Sequence, residues 1–267
     1  MHTFDICANL TERSFAKDLD DVLDRAYDEG VQHILIPGSN LESSQQGIEL
    51  ASSYRSDHSF PIALYNAVGY HPHNAKEWNA TSQEFLAELV HNNSELVRAI
   101  GECGLDYNRN FSEPKQQQQV FIEQLELARS MDLPVFLHER DAHQDFLAIL
   151  KEHKQNIPRI LVHCFTGNGE ELEAYLDIGC YIGITGWFCD ERRGAHLQEL
   201  VSLIPSDKLL IETDAPYLLA RDLPEDKLHQ GNSRRNEPAY LPHLVHSLAE
   251  CLSREPEHLA QITLDNS

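Results

Sequence analysis

What this sequence lacks narrows its function before any motif is read. Its six cysteines, Cys7, Cys103, Cys164, Cys180, Cys189 and Cys251, form no Cys-x-x-Cys pair. The chain also opens without the basic, then apolar, then small-residue pattern of an export signal, so a reduced, cytoplasmic protein is the expectation. No uninterrupted apolar run approaches the roughly 18 residues of a membrane span, and no membrane partner is expected. Positive charge is scarce too: 21 Lys and Arg stand against 43 Asp and Glu, a formal net charge of -22. That balance argues against a broad basic surface for duplex DNA. A polyanionic substrate would need a local positive centre, either a metal ion or a few clustered arginines. No Gly-x-Gly-x-x-Gly follows the first apolar segment, and the chain shows no internal repeat, low-complexity tract or domain linker.

What the chain does have is alternation. At 267 residues with 41% hydrophobic content it can fill one large core, and residues 1–267 read as a single domain. Short apolar runs rich in β-branched residues recur at Phe4–Ala8, His33–Pro37, Ala63–Gly69, Val97–Glu102, Pro134–His138, Ile160–His163, Tyr181–Ile184 and Lys208–Glu212. Between them lie helical periods. Phe15, Leu19, Val22, Leu23 and Ala26 run to a stop at Gly30. A Thr81-capped segment carries Phe85, Leu86, Leu89 and Val90, another carries Phe121, Leu125, Ala128 and Met131, and the last carries Leu241, Leu244, Val245, Leu248 and Leu252. Eight strands alternating with eight helices predict an α/β (β/α)8 TIM barrel, with a doubly wound open sheet as the competing arrangement. The turn-rich stretch Leu223–Pro238 reads as a functional loop.

In a closed parallel barrel every strand's C-terminal end lies on one face, so Glu102, His138, His163 and Asp214 would converge there. Each alone has an ordinary structural reading as a hydrogen-bonded polar group. Together, two imidazoles and two carboxylates at the ends of separate strands describe a divalent-metal site. Glu212 and Asp214 end the eighth strand as a carboxylate pair, costly to bury unless a cation or water meets it. Strand alternation puts both on one side, with Asp214 nearer the mouth and better placed for a catalytic water. His71 and His73 follow strand three and face either substrate or a rigid turn. Arg192-Arg193 and Arg234-Arg235 lie in loops where barrels often bind phosphate, and Asp106 with Arg109 is placed to orient Glu102.

Five motifs carry a further resemblance: Gly-Glu-Cys-Gly-Leu-Asp at 101–106, Pro-Val-Phe-Leu-His at 134–138, His-Cys-Phe-Thr-Gly at 163–167, Glu-Thr-Asp-Ala-Pro-Tyr at 212–217 and Arg-Arg-Asn-Glu-Pro at 234–238. In order and over nearly the whole chain, they resemble the TatD family of metal-dependent deoxyribonucleases. Gly186-Trp187 and Cys189–Gly194 fit the seventh loop of the family's namesake group. The resemblance implies a metallo-dependent-hydrolase barrel and 3′ to 5′ exonuclease action on single-stranded DNA, with RNA as a further substrate. It carries metal-ligand roles to Glu102, His138, His163 and Asp214, and matches the family's His-Pro-His element to residues 71–73. Catalysis is expected from Asp214, with Glu212 as second choice and His71 at the terminal nucleotide or leaving oxygen. His71, His73, Arg234 and Arg235 are the expected substrate contacts. The expected cofactor is a divalent ion, Mg2+ in function with Zn2+ or Mn2+ as alternatives, in one firm site on a monomer. The chain departs from the family at the end of strand one, where Cys7-Ala8-Asn9 replaces the usual His-x-His, and at its last residues, where the family usually continues into a final helical segment. The rival readings are a phosphoesterase or amidohydrolase acting on a small molecule and a non-catalytic metal-binding protein.

Overall fold

A computed structural model describes residues 1–56, 60–229 and 234–267. Its strands are β1 (Thr3–Asp5), β2 (Val31–Pro37), β3 (Ala63–Val68), β4 (Val97–Asp106), β5 (Val135–Arg140), β6 (Ile160–Val162), β7 (Tyr181–Ile184) and β8 (Leu209–Ile211). The helices are α1 (Leu19–Asp28), α2 (Leu41–Ser56), α3 (Ser82–Asn92), α4 (Pro114–Met131), α5 (His143–His153), α6 (Gly169–Asp177), α7 (Ala195–Leu200), α8 (Leu241–Cys251) and α9 (Pro256–Asn266). Every strand pairs in parallel with its sequence neighbours, in the order β1 to β8. The seam between β8 and β1 is narrow. Beyond β1, Ala8 pairs with Ala215, and Asp214 N–H donates to the Cys7 carbonyl at 2.8 Å. Eight parallel strands therefore form a nearly closed barrel, the predicted architecture.

Side-chain alternation divides the core in two. Ile34 and Ile36 face outward to the helices, as do Val135, Leu137, Ile160 and Val162. Leu35, Ala67, Ala99 and Phe136 fill the barrel with Cys7. Phe136 pairs in register with Leu161. Two residues further along their strands, the same inward face presents His138 and His163. The barrel's packing thus aims both imidazoles at the mouth.

Several boundaries differ from the sequence reading. β4 does not end at Glu102 but runs to Asp106, with a register shift between Ile100 and Cys103. Thr81 makes no side-chain cap on α3; its hydroxyl donates to Asn79 Oδ1, and Phe85 is 45% exposed, outside the apolar face assigned to it. The sequence reading placed no helix after α8, yet α9 buries Leu259 and Ala260, and Asn266 Nδ2 donates to the Ser206 and Leu209 carbonyls. By contrast, α6 starts on a full capping box: Asn168 Oδ1 accepts from Glu170 N–H and Glu171 N–H, and the Glu171 carboxylate accepts from Asn168 N–H. Among the described residues no helix is long and apolar enough to cross a membrane.

The loop Leu223–Pro238 lies partly outside the described residues, which resume at Arg234. Arg235 is not presented to substrate. Its Nη1 donates to Asp18 Oδ1 at 2.8 Å, and its Nη2 donates to Asp18 Oδ2 at 2.6 Å and to Glu237 Oε1 at 2.7 Å. The guanidinium also lies 4.9 Å from the Phe15 ring centroid, and Arg25 reaches Glu237 Oε2 at 2.9 Å. Arg235 therefore fastens the returning loop to the start of α1. Hydrogen bonds from Arg235 hold the Asp18 carboxyl below the ordinary range, despite the opposing effect of partial burial.

Two predictions follow from this packing. Gly101 has φ +147°, and a Cβ there would meet the Phe136 carbonyl oxygen at 2.2 Å. Gly101→Ala is expected to destabilise by at least about 1–3 kcal/mol in urea unfolding; an unchanged midpoint would contradict this account of β4. A depressed carboxyl contributes stability above its unfolded pKa of about 3.9, lost as pH falls through the lower folded value. The melting-temperature gap between wild type and Asp18→Asn should therefore be open at neutral pH and close in acid.

Candidate active site

The register shift in β4 raises Glu102 into the mouth, where its Oε1 becomes a shared acceptor. His138 Nδ1 and His163 Nε2 each approach it at 2.9 Å, and His71 Nε2 lies at 3.4 Å. These imidazoles come from β5, from the end of β6 and from the turn after β3, so one carboxylate oxygen joins four segments. Asp106, four residues along β4, lies 2.7 Å from His73 Nε2 and 3.4 Å from His138 Nε2. It was expected to orient Glu102; instead it holds the two histidines beside it. Arg109 gives Asp106 only its backbone N–H, and its guanidinium sits 5.9 Å from the Phe111 ring centroid.

The β8 carboxylates occupy different depths. Glu212 is fully buried, accepts from Cys164 N–H, and places Oε2 3.4 Å from His163 Nδ1. Asp214 is partly exposed and accepts from Asn9 Nδ2 at 3.0 Å and from Cys7 Sγ at 3.6 Å. The alternation argument does not carry this far, because β8 ends at Ile211 and Asp214 has φ +54°. The turn, not the strand, aims Asp214 at the cleft. Beneath it, buried Asp5 accepts from the N–H groups of Cys7 and Thr213 and from the Thr213 hydroxyl. Asp5 thus ties β1 to the segment bearing both carboxylates.

Burial dominates the electrostatics. It pushes the Asp214 carboxyl up to about 7; His163 opposes the rise, and Glu102 and Glu212 add to it. His71 is pushed down to about 4 by burial, opposed by Glu102. Its Nδ1 accepts from His73 N–H, so the neutral ring keeps its proton on Nε2, facing Glu102. For Glu102 burial alone would raise the pKa, but His163, His71 and the hydrogen bonds from His138 and His163 overrule it, and the carboxylate stays ionised. His138 and His163 are raised against burial, chiefly by the Asp106 and Glu102 carboxylates that His138 faces and by the Glu102 and Glu212 charges beside His163.

These donors suit a divalent cation. His71, Glu102 and His138 offer ligand atoms within 4.8 Å of one another, and so do Cys7, His163 and Glu212. His138 Nε2, His163 Nδ1 and Glu212 Oε2 are buried without a hydrogen-bond partner among the described residues. Buried polar atoms of this kind are costly unless something else satisfies them. Imidazole and carboxylate together favour a borderline-to-hard dication, and Cys7 adds a softer donor.

The cluster opens into a cleft of about 1660 Å³. Its walls include Arg109, Arg140, Arg193, Phe111, Trp187 and Tyr217; Phe111 and Tyr217 are 54% and 50% exposed. The structure brings together Glu102, His138, His163, Asp214, Glu212, His71 and His73. It does not bring Arg234 or Arg235 to this cleft: Arg234 is exposed on a turn, and Arg235 is bound as described above. Sequence reasoning missed Asp5, Asn9 and the contact of Asp106 with the histidines. The signal for Asp106 was the even spacing of 102, 104 and 106, hidden because the sequence reading ended the strand at Glu102.

The family described as TatD related DNase matches residues 4–267. The chain is 49% identical over 260 residues to the 3′-5′ ssDNA/RNA exonuclease TatD of Escherichia coli strain K12, covering 97% of this chain and 95% of that protein. It is 51% identical over 258 residues to the protein of the same name from Erwinia billingiae, covering 97% and 94%. Among solved structures, a TatD family hydrolase from Entamoeba histolytica superposes with a TM-score of 0.89 at 29% identity, covering 100% of this chain and 96% of that one. A phosphotriesterase homology protein from Escherichia coli, at TM-score 0.69 and 16% identity over 99% and 97% of the two chains, shares the fold. With a match spanning nearly every residue and relatives at half identity over nearly their whole length, the chain belongs to the TatD related DNase family.

Proposed function

We propose that this chain is a metal-dependent 3′–5′ exonuclease that hydrolyses the phosphodiester bonds of single-stranded DNA and RNA. The observation that carries the reading is the shared Glu102 oxygen, ringed by His71, His138 and His163 at the floor of a cleft beside Asp214. Relatives at about half identity are named for this activity. Glu102, His138 and His163 would hold the ion, with Asp214 or Glu212 completing the set. Mg2+ is the ion assigned, for a phosphodiester substrate met by carboxylate donors, with Mn2+ or Zn2+, which the two imidazoles also suit, as substitutes. When bound, such an ion supplies Lewis-acid polarisation of a phosphoryl oxygen and lowers the pKa of water.

The side chains do the rest. Asp214, steadied by Asn9, accepts the proton of the attacking water, while Glu212 holds the Cys164 backbone and His163 in place below it. His71 presents a neutral Nε2–H to anionic oxygen, and His73 is braced by Asp106. Arg109, Arg140 and Arg193, not Arg234 and Arg235, are the cations at hand for neighbouring phosphates. The exposed rings of Phe111 and Tyr217 suit stacking of successive bases, a contact that tolerates any sequence. Residues 1–267 are read as one catalytic domain, acting as a cytoplasmic monomer.

Glu102→Gln and His163→Ala are expected to lose bound metal together with hydrolysis of a 3′-labelled oligonucleotide; retention of both metal and rate would remove these residues from the site. Asp214→Asn should lower kcat by about 10²- to 10⁴-fold with the fold intact by circular dichroism. Phe111→Ala and Tyr217→Ala should each weaken oligonucleotide binding by about 1–3 kcal/mol while hydrolysis of a small phosphodiester is unaffected. Equal losses on both substrates would favour a small-molecule phosphoesterase, the reading to which the strong negative charge lends weight.

A further inference from the structure

Another group of ligand-type side chains lies outside the cleft, where the loops after β7 and β8 meet α8. Cys189 closes the 3-10 turn Gly186–Cys189, Asp222 lies in the loop after β8, and His243 sits in the first turn of α8. Their sulfur, carboxylate and imidazole ligand atoms all lie within 4.8 Å of one another. His243 Nε2 is already 2.7 Å from Asp222 Oδ1. Arg221 turns to Asp190 at 3.4 Å, so Asp222 is left to face the other two groups. None of the three lines the cleft, and the proposed hydrolysis uses none of them.

We infer that Cys189, Asp222 and His243 form a second metal site that takes Zn2+, with water in the fourth position. A thiolate, an imidazole and a carboxylate from three separate segments are ligands that zinc accepts together, whereas Mg2+ takes oxygen and rarely sulfur. Zinc bonds of about 2.3 Å to sulfur and about 2.0–2.1 Å to nitrogen and oxygen require ligand atoms roughly 3.3–3.6 Å apart in a tetrahedron, which modest side-chain rotations supply here. One thiolate and one carboxylate offset the charge of a dication, so no net charge is left at the partly buried site. Cys189 is buried while Asp222 is exposed and His243 half-buried, which gives the ion a way in from solvent. On binding, the Cys189 thiol proton leaves to solvent, and the His243 ring keeps its proton on the nitrogen turned away from the ion.

The site would fasten two loops that carry parts of the cleft. Trp187 lies two residues before Cys189, and Tyr217 lies five residues before Asp222. The loops already touch: a Cβ on Gly186 would meet the Leu218 carbonyl oxygen at 2.4 Å. An ion bridging to α8 would fix that contact to the barrel's outer layer.

The test is Co2+ titration of the whole, chelator-stripped protein, read by thiolate-to-cobalt charge-transfer absorption and by stoichiometry, with Zn2+ as displacing ion. Wild type should develop the band and lose it on adding Zn2+. Cys189→Ser should lack the band and bind one equivalent less. Asp222→Asn and His243→Asn should weaken the band-forming site by more than the roughly 10- to 100-fold typical of losing an outer-shell partner. No band in wild type, or a band that survives in Cys189→Ser and so arises from Cys7 or Cys164, overturns the inference. If Cys189→Ser does not fold, unchanged cobalt affinity in both other variants overturns it equally. None of these readouts depends on nuclease activity.

Discussion

One carboxylate oxygen organises the mouth of this barrel. Glu102 Oε1 is approached by imidazoles from three other segments, and it reaches them because β4 slips its register just before it. A regular β4 would leave the main-chain path of the mouth intact but move Glu102 off the inward face. His138 and His163 need no such device: they continue the inward stripe begun by Phe136 and Leu161. Two kinds of backbone order, one regular and one deliberately broken, therefore meet at a single atom. The price is a glycine that tolerates no Cβ.

The strongly acidic chain handles its charge by depth. Among the described residues, the buried carboxylates are each met by a partner: Glu102 faces three histidines, Asp106 two, Glu212 the Cys164 amide and His163, Asp5 the Cys7 and Thr213 amides, and Glu237 two arginines. Cations are few but not evenly spread. Arg109, Arg140 and Arg193 stand on the cleft wall, whereas Arg25 and Arg235 are committed to Glu237 and Asp18. A polyanion would meet its attraction locally at the mouth, against a repulsive background that weakens with salt.

Much of this was legible in the residues. The order of strands and helices followed from period-2 and period-3.6 patterns, and parallel topology put Glu102, His138, His163 and Asp214 on one face, although the slip in β4 and the turn after β8 that aim Glu102 and Asp214 were not legible. What escaped had physical reasons. Asp106 was hidden because Gly104 and the slipped register disguise β4's last residues as a loop. Asp5 and Asn9 were invisible because their partners, Thr213 and Asp214, are over 200 residues away in sequence. The arginine pair at 234–235 pointed the wrong way because a loop's direction is set by where it returns, and this one returns to Asp18 on the far side of the seam. α9 followed a short apolar pattern whose burial depends on β1, β8 and α8 together.

The seam between β8 and β1 is held largely by main-chain groups, with Asp214 N–H donating to the Cys7 carbonyl, Asn9 N–H to the Ala215 carbonyl and Ile6 N–H to the Ile211 carbonyl, and with the Asp5 carboxylate joined to Thr213 beneath them. Of the side chains there, Cys7 adds only its contact to Asp214, while Asn9 Nδ2 donates both to Asp214 Oδ1 and to the Ala215 carbonyl that its own N–H already binds. Most of the seam's architecture therefore lies in the main chain, and the chemistry of one short stretch is only loosely coupled to it. Residues there can exchange imidazole, thiol or amide without reopening the barrel, which makes the first strand the place where descent can revise metal preference while leaving the fold unaltered.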